Sequence, residues 1–176
     1  MAARLMRVAL AVLGVVAIVA YAVLGAFIMN DWAVVAASGR PLDETIAAMG
    51  AAGEQYRTTP GFLFAILGVL LALAWGLLVL HPLIRLPVWA AVIFWGIILA
   101  FGAPAYFFAA FANLNSVGDV FSDWDAEAAF AVEAPLYAVS GVAVLVVIAA
   151  AGAAAIAAVV RGVVRRRRAD RGVPAA

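Results

Sequence analysis

Residues 60–111 contain two long apolar runs joined by a turn of only seven residues, and this feature constrains the fold more than any other. The runs, 61–80 and 88–111, reach the roughly 20 residues that an α-helix needs to cross the hydrocarbon core of a bilayer. The turn 81–87 is too short to cross anything, so the two helices must be antiparallel neighbours. A hairpin this apolar predicts a membrane protein.

Two further apolar runs, 5–29 and 135–160, are also long enough to span. Only 12% of the 176 residues are charged and 69% are hydrophobic, whereas a soluble domain is about 25% charged. The sequence therefore predicts one all-α domain over 1–176, a four-helix transmembrane bundle with short helices in its loops. The first run has a rival interpretation as a secretory signal cleaved near Ala22, but its apolar residues continue well past that point, which favours an anchor.

The charges are segregated in a way that predicts the orientation of the bundle. Four spans place both termini and the 81–87 turn on one side, and segments 30–59 and 112–134 on the other. The first side has nine basic residues and one acid; the second has two basic residues and nine acids. We expect the protein to lie in the plasma membrane. By the positive-inside rule, both termini should then be in the cytoplasm, and the acidic segments should be outside the cell.

The segments between the spans carry signals for helix ends and short helices. Leu42, Ile46 and Met49 recur at helical spacing and predict an apolar face on a short surface helix. Thr58 followed by Pro60 is typical of a helix start, with a hydroxyl cap and proline in the first turn. Ser122 is a candidate cap for the helix that leads into the fourth span.

Small residues and proline predict how the spans pack. Gly68, Ala72 and Gly76 recur every four residues and so share one helix face, which lets another backbone approach closely, in this chain or in a partner. Gly102 and Pro104 should kink the third span, because proline removes a backbone hydrogen bond. Aromatic residues near its ends predict interfacial anchors, Trp89 and Tyr106.

Several chemistries are excluded by residue counts. The chain has no cysteine, which removes disulfides, thiol catalysis and thiolate metal sites, and a single histidine, His81, which removes multi-histidine metal or haem sites within one chain. The spans hold almost no ionisable residue, which argues against an ion-coupled pump built from one subunit. No cofactor or metal is expected.

Two charged groups are candidate contact sites. Four carboxylates between the third and fourth spans could hold a cation or contact a partner, although their spacing matches no EF-hand loop: Asp119, Asp123, Asp125 and Glu127. Arginines after the fourth span are placed to contact anionic lipid: Arg161, Arg165, Arg166, Arg167 and Arg168. A basic tail beside a membrane does not indicate nucleic-acid binding.

These observations predict a non-catalytic accessory or interaction subunit of the membrane. Its expected contacts are lipids and either another membrane protein or further copies of the chain. One alternative is binding or transport of an apolar, lipid-like solute between the helices near Gly102 and Pro104. A second alternative is a membrane enzyme that uses the carboxylate group or His81.

Overall fold

A computed structural model describes the backbone of residues 2–84 and 86–170, and the side chains of residues 4–84 and 86–167. Every element in these ranges is helical, and the elements in chain order are α1 (Ala2–Phe27), a π-helical turn (Ile28–Trp32), α2 (Ala33–Ser38), α3 (Leu42–Ala51), α4 (Thr59–Leu80), α5 (Val88–Ala100), α6 (Gly102–Val120) and α7 (Ala126–Asp170). Within the described ranges, four apolar helical stretches are long enough to cross a membrane: Arg4–Ser38, Thr59–Leu80, Val88–Val120 and Ala126–Arg167. The predicted all-α fold is confirmed, as are four helices long and apolar enough to span a membrane.

The helices run past the predicted ends of the spans. The first continues through the π-helical turn to Ser38, and α6 continues to Val120. The predicted basic tail 161–176 is a direct continuation of α7 as far as Asp170. Residues 171–176 and Arg85 lie outside the described residues, as does the side chain of Arg168.

Helices α1 and α4 form the most extensive contact of the bundle. A Cβ added to Gly76 would lie 2.7 Å from Val15 Cγ2, and one added to Gly68 would collide with the Cβ of Ala22. Ala72 between them is fully buried. The stripe of Gly68, Ala72 and Gly76 is therefore filled by the first helix of the same chain, and the two helices are antiparallel.

Two indole N–H groups join the helices near the end that carries the termini. Trp75 Nε1 donates to the carbonyl oxygen of Ala91 at 3.0 Å, which ties α4 to α5. Trp95 Nε1 donates to the carbonyl of Gly14 at 3.3 Å, which ties α5 to α1. These bonds satisfy donors that would otherwise be costly in an apolar interior.

The third span breaks at Phe101, where α5 ends and α6 begins, as Gly102 and Pro104 predicted. A side chain from α7 supplies the hydrogen bonds that the backbone loses at the break. Ser140 Oγ accepts the N–H of Ala103 at 3.2 Å and donates to the carbonyl of Leu99 at 2.7 Å. An unbroken helix would pair these two backbone groups directly. Non-ideal backbone at membrane depth is tolerated when a neighbouring helix satisfies it in this way.

The end of the bundle opposite the termini, here called the polar end (residues 30–59 and 112–134), has a small core of its own. Six buried apolar side chains form it: Val34, Ala37, Met49, Val117, Phe121 and Ala129. Asn113 fastens the loop before α4 to α6, because its Oδ1 accepts the backbone N–H of Arg57 at 3.0 Å and its Nδ2 donates to the carbonyl of Arg57 at 2.8 Å. The predicted apolar face of the short helix contributes Met49 and Leu42 to this core.

Three local predictions are wrong. Tyr106 is fully buried and is not an interfacial anchor, whereas Trp89 is half exposed. Asp125 rather than Ser122 caps α7, since its Oδ1 accepts the N–H of Ala128 at 2.8 Å. Thr58 precedes α4 as expected but makes no capping bond with its side chain.

Candidate functional site

Three of the four carboxylates singled out in the sequence have separate partners in the structure, and the fourth, Glu127, is exposed on the first turn of α7. Asp119 accepts a bond from Asn115 Nδ2 at 3.1 Å, Asp123 lies 3.9 Å from Arg40 Nη2, and Asp125 caps α7. In the part of the chain that the structure describes, no three of His, Asp and Glu are grouped so that they could hold a metal ion. The carboxylates form an exposed acidic surface rather than one site.

The basic and histidine candidates are also dispersed. The structure describes the side chains of four of the tail arginines, and all four are exposed on the last turns of α7: Arg161, Arg165, Arg166 and Arg167. His81 is exposed at the end of α4, where its Nδ1 accepts the backbone N–H of Leu83 at 3.3 Å. This bond belongs to the turn and needs no ligand.

The structure assembles a different polar group, which the sequence reasoning did not single out. Glu133 is 6% exposed in the first half of α7. The hydroxyl of Tyr106 donates to its Oε1 at 3.0 Å, and the hydroxyl of Tyr137 donates to its Oε2 at 3.3 Å. Each carboxyl oxygen therefore has a phenol hydroxyl within hydrogen-bonding distance, so the carboxylate form would have a donor on both sides.

Glu133 lines an apolar cavity of about 240 Å³ between α6 and α7. Its wall is dominated by aromatic rings: Phe107, Phe111, Trp124, Phe130 and Tyr137. Phe130 and Tyr137 stack with ring centroids 5.7 Å apart, and Tyr106 meets Tyr137 edge to face. The rings of Phe107 and Phe130 are about half exposed, so the cavity opens on the side of the bundle.

The surroundings of Glu133 offer it no positive charge. Among the described side chains of the polar end, the two arginines have other contacts. Arg40 lies over the Phe121 ring and near Asp123, and Arg57 donates to Gln55. A buried carboxylate with only neutral donors costs free energy unless a cation compensates it. This arrangement can bind a cation or accept a proton.

The spacing of buried residues on α7 could have revealed Glu133. Positions on the inward face of this helix recur every three or four residues and are buried together: Ala129, Glu133, Leu136, Ser140 and Ala143. A glutamate in register with an alanine and a serine of the packing face points into the bundle. Tyr106 gives no such signal in the sequence, because its pairing with Glu133 depends on how α6 follows the break at Phe101.

The outer face of α7 is the second unusual feature. A Cβ added to Gly141, Gly152 or Gly162 would meet no atom within 4 Å, whereas one added to Gly68, Gly76 or Gly96 would meet a neighbouring helix. Only 6% of the most apolar stretch of α7 is buried, against 33% for the first span. Beyond Ala154, the side chains of α7 are exposed as far as Arg167.

The expected solute site near Gly102 and Pro104 is narrow. A cavity of about 140 Å³ lies between α1, α4 and the break, lined among others by Tyr21 and Phe64. A Cβ on Gly102 would lie 2.5 Å from the Tyr21 ring, so α1 occupies most of the space beside the kink. In comparisons with known proteins, no family model, no curated protein and no solved structure matches this chain.

Proposed function

We propose that the protein is a non-catalytic subunit of the plasma membrane that binds another membrane protein through the outer face of α7. The observation that carries this proposal is the absence of any packing on that face within the described chain. Gly141 and Gly152, eleven positions apart, share one side of the helix and have open space beside them. Leu145, Ile148 and Val159 extend the same side and are more than 60% exposed.

Small residues support a protein partner rather than lipid alone. In a bilayer the hydrophobic effect does not drive helices together, and close packing at small residues is a main source of association. Residues 149–158 of α7 are eight alanines with Gly152 and Ile156. Elsewhere in the bundle the small residues of α4 and α5 are used in this way, at Gly68, Gly76 and Gly96. The same chemistry on α7 favours a partner helix there.

The length of α7 gives the partner more surface at the end that carries the termini. Gly96 of α5 packs against Val147 of α7. From Gly96, α5 extends about 12 Å back to Val88, while α7 extends about 21 Å from Val147 to Arg161. About 9 Å of apolar helix therefore projects past its neighbour, which favours oligomerisation or tilt in a bilayer of ordinary thickness.

Charge indicates the chemistry of the partner. The exposed side chains of Arg161, Arg165, Arg166 and Arg167 follow the small-residue face directly. Two parallel copies of α7 would bring these arginines together, and like charges repel. A partner whose transmembrane helix is followed by an acidic segment complements the arginines better than a second copy of this chain does. The charge bias favours an orientation with both termini inside, in which this contact lies at the cytoplasmic surface.

Site-specific crosslinking tests the proposal, because the chain has no cysteine of its own. The variant Gly152→Cys, carrying a thiol-linked photocrosslinker, should capture one defined protein in native membranes. The matched control is Leu77→Cys on α4, which is 71% exposed but lies outside the proposed face. The capture should disappear when Leu145→Trp is added on the same face.

The outcomes separate the occupants of the face. A product that forms from position 152, not from position 77, and is lost with Leu145→Trp supports a partner helix. A product of twice the 18.2 kDa chain mass would show a second copy instead and overturn the heterologous partner. Capture of lipid alone, or equal capture from both positions, would overturn the interface.

A further inference from the structure

We propose that the cavity beside Glu133 binds the ammonium group of an amphiphile at the polar end of the bundle. The carboxylate of Glu133 would balance the positive charge, and the aromatic wall would contact the carbon substituents. This site is on the inward face of α7 and is independent of the partner surface on the outer face of that helix.

The charge argument begins with the two tyrosines. Each donates a hydroxyl to a different oxygen of Glu133, so the carboxyl group is held as an acceptor on both sides. Hydroxyl donors stabilise the anion but do not neutralise it. With no basic side chain beside it among the described residues, the buried anion lacks a counter-charge that a ligand can provide.

The wall of the cavity selects the type of cation. Divalent metal ions require about six oxygen ligands, and Glu133 is the only carboxylate in the wall. Phe107, Trp124 and Phe130 instead present aromatic rings, whose negative faces attract organic cations. Choline-like and alkylammonium groups are recognised in proteins by rings of this kind with a nearby negative charge.

The size and position of the cavity indicate an amphiphile. Its volume of about 240 Å³ is below the usual range of about 300–1,000 Å³ for whole drug-sized ligands, so it fits a headgroup. It opens beside the exposed rings of Phe107 and Phe111 on α6. Glu133 lies six positions, or about 9 Å of helix, beyond the exposed Glu127. An apolar tail can therefore remain in the bilayer while the ammonium group enters from the side.

The surrounding charge favours the same ligand. Asn115, which lines the cavity, donates to Asp119, so a second carboxylate lies close to the site. The two segments of the polar end carry nine acidic and two basic residues. A cation is attracted to such a surface, and an anionic headgroup is repelled.

Titration calorimetry of the full chain in maltoside micelles tests the ligand chemistry. The probe is decyltrimethylammonium, compared with decyl sulfate and decanol, which have the same tail. The cation should bind roughly 10-fold more tightly than either, and Glu133→Gln should remove this preference while keeping the size of the side chain. Glu127→Gln, which alters an exposed carboxylate of the same helix, should bind like the wild type.

A second variant keeps the test independent of folding. Trp124→Leu removes one ring from a partly exposed position and leaves Glu133 in place, and it should weaken binding of the cation several-fold. Equal binding of the three probes, unchanged binding by Glu133→Gln, or binding of none of them would overturn the site.

Nanodiscs distinguish the two sources of the ammonium group. Native mass spectrometry of protein from discs containing phosphatidylethanolamine and phosphatidylglycerol should show retained phosphatidylethanolamine, lost in Glu133→Gln, if the ligand is a lipid headgroup. Binding of decyltrimethylammonium without retained phosphatidylethanolamine would identify a free amphiphilic amine. Preferential retention of phosphatidylglycerol would contradict the proposal.

Discussion

Tyr56 shows how a single side chain fixes the loop that leads into α4. Its hydroxyl donates to the backbone carbonyl of Asn30, and it lies near the carboxylate of Asp31. The phenol is partly buried at the junction of the π-helical turn and the loop. Burial, strengthened by the charge of Asp31, raises the pKa of Tyr56 to about 12 from its ordinary value of 10.

We therefore expect Tyr56 to stabilise the fold only as a neutral phenol. Because the pKa is raised in the folded state, its contribution is fully present below pH 10 and is lost as the pH rises from about 10 to 12. The tyrosinate absorbance of the wild type minus that of Tyr56→Phe should titrate with a midpoint near 12. A midpoint near 10 would contradict the buried position of the hydroxyl.

Ser140 has a larger structural role than its size suggests. Because its single proton goes to Leu99, the hydroxyl of Tyr21, 3.0 Å away, must donate to it. Ser140→Ala leaves three polar groups without a partner in an apolar interior. We expect a loss of about 1–3 kcal/mol in the free energy of unfolding, measured in micelles with denaturant.

Tyr21→Phe is the matched control for Ser140, since it removes one of these hydrogen bonds and keeps the two backbone bonds. It should cost less, about 1 kcal/mol. If Ser140→Ala proved no more destabilising than Tyr21→Phe, the hydrogen bonds from Ser140 to the backbone at the break would not stabilise the fold as expected.

At the scale of the helices, glycine has opposite roles in α4 and α7. Gly68→Leu places a large side chain against Ala22 of α1, where even a Cβ collides. We expect it to destabilise the bundle by about 1–3 kcal/mol, as overpacking of an interior does. In Gly152→Leu the new side chain enters open space, and leucine is a better helix former than glycine. The isolated variant should therefore unfold at the same temperature as the wild type or at a higher one.

Thermal unfolding of the two purified glycine variants in the same detergent measures this difference. Equal destabilisation by both substitutions would show that the outer face of α7 is packed within the chain. Stability unchanged by Gly68→Leu would contradict the contact between α1 and α4.

The helices themselves could be predicted because each span needs about 20 apolar residues and each connection contains polar residues or proline. The break at Phe101 followed from Gly102 and Pro104 for the same local reason. The site at Glu133 could not be located from local signals alone. It requires Tyr106 on α6 and Tyr137 on α7 to converge, and helix rotation after the break decides that convergence.

For the whole molecule, the two proposed contact regions lie toward opposite ends of α7. Inside the spans, Ser140 bonds to Tyr21 and to the carbonyl of Leu99, and Trp75 bonds to the carbonyl of Ala91. Glu133 faces a cavity at the polar end of the bundle. The exposed half of α7 lies at the opposite end, which carries the termini.

The orientation of these surfaces is the prediction on which their biological setting depends. If the termini are cytoplasmic, the Glu133 cavity opens toward the outer side and the arginines of α7 face the cytoplasm.

Single-cysteine variants can test this orientation without background labelling, since the chain has no cysteine. Ser122→Cys lies in the exposed loop before α7, and Leu83→Cys lies in the turn after α4, where Leu83 is 86% exposed. A membrane-impermeant maleimide added to intact cells, or to spheroplasts if an outer membrane is present, should label position 122 at once and position 83 only after lysis. The reverse pattern would place the arginine-rich end outside, against nine basic residues whose transfer across the membrane is strongly disfavoured.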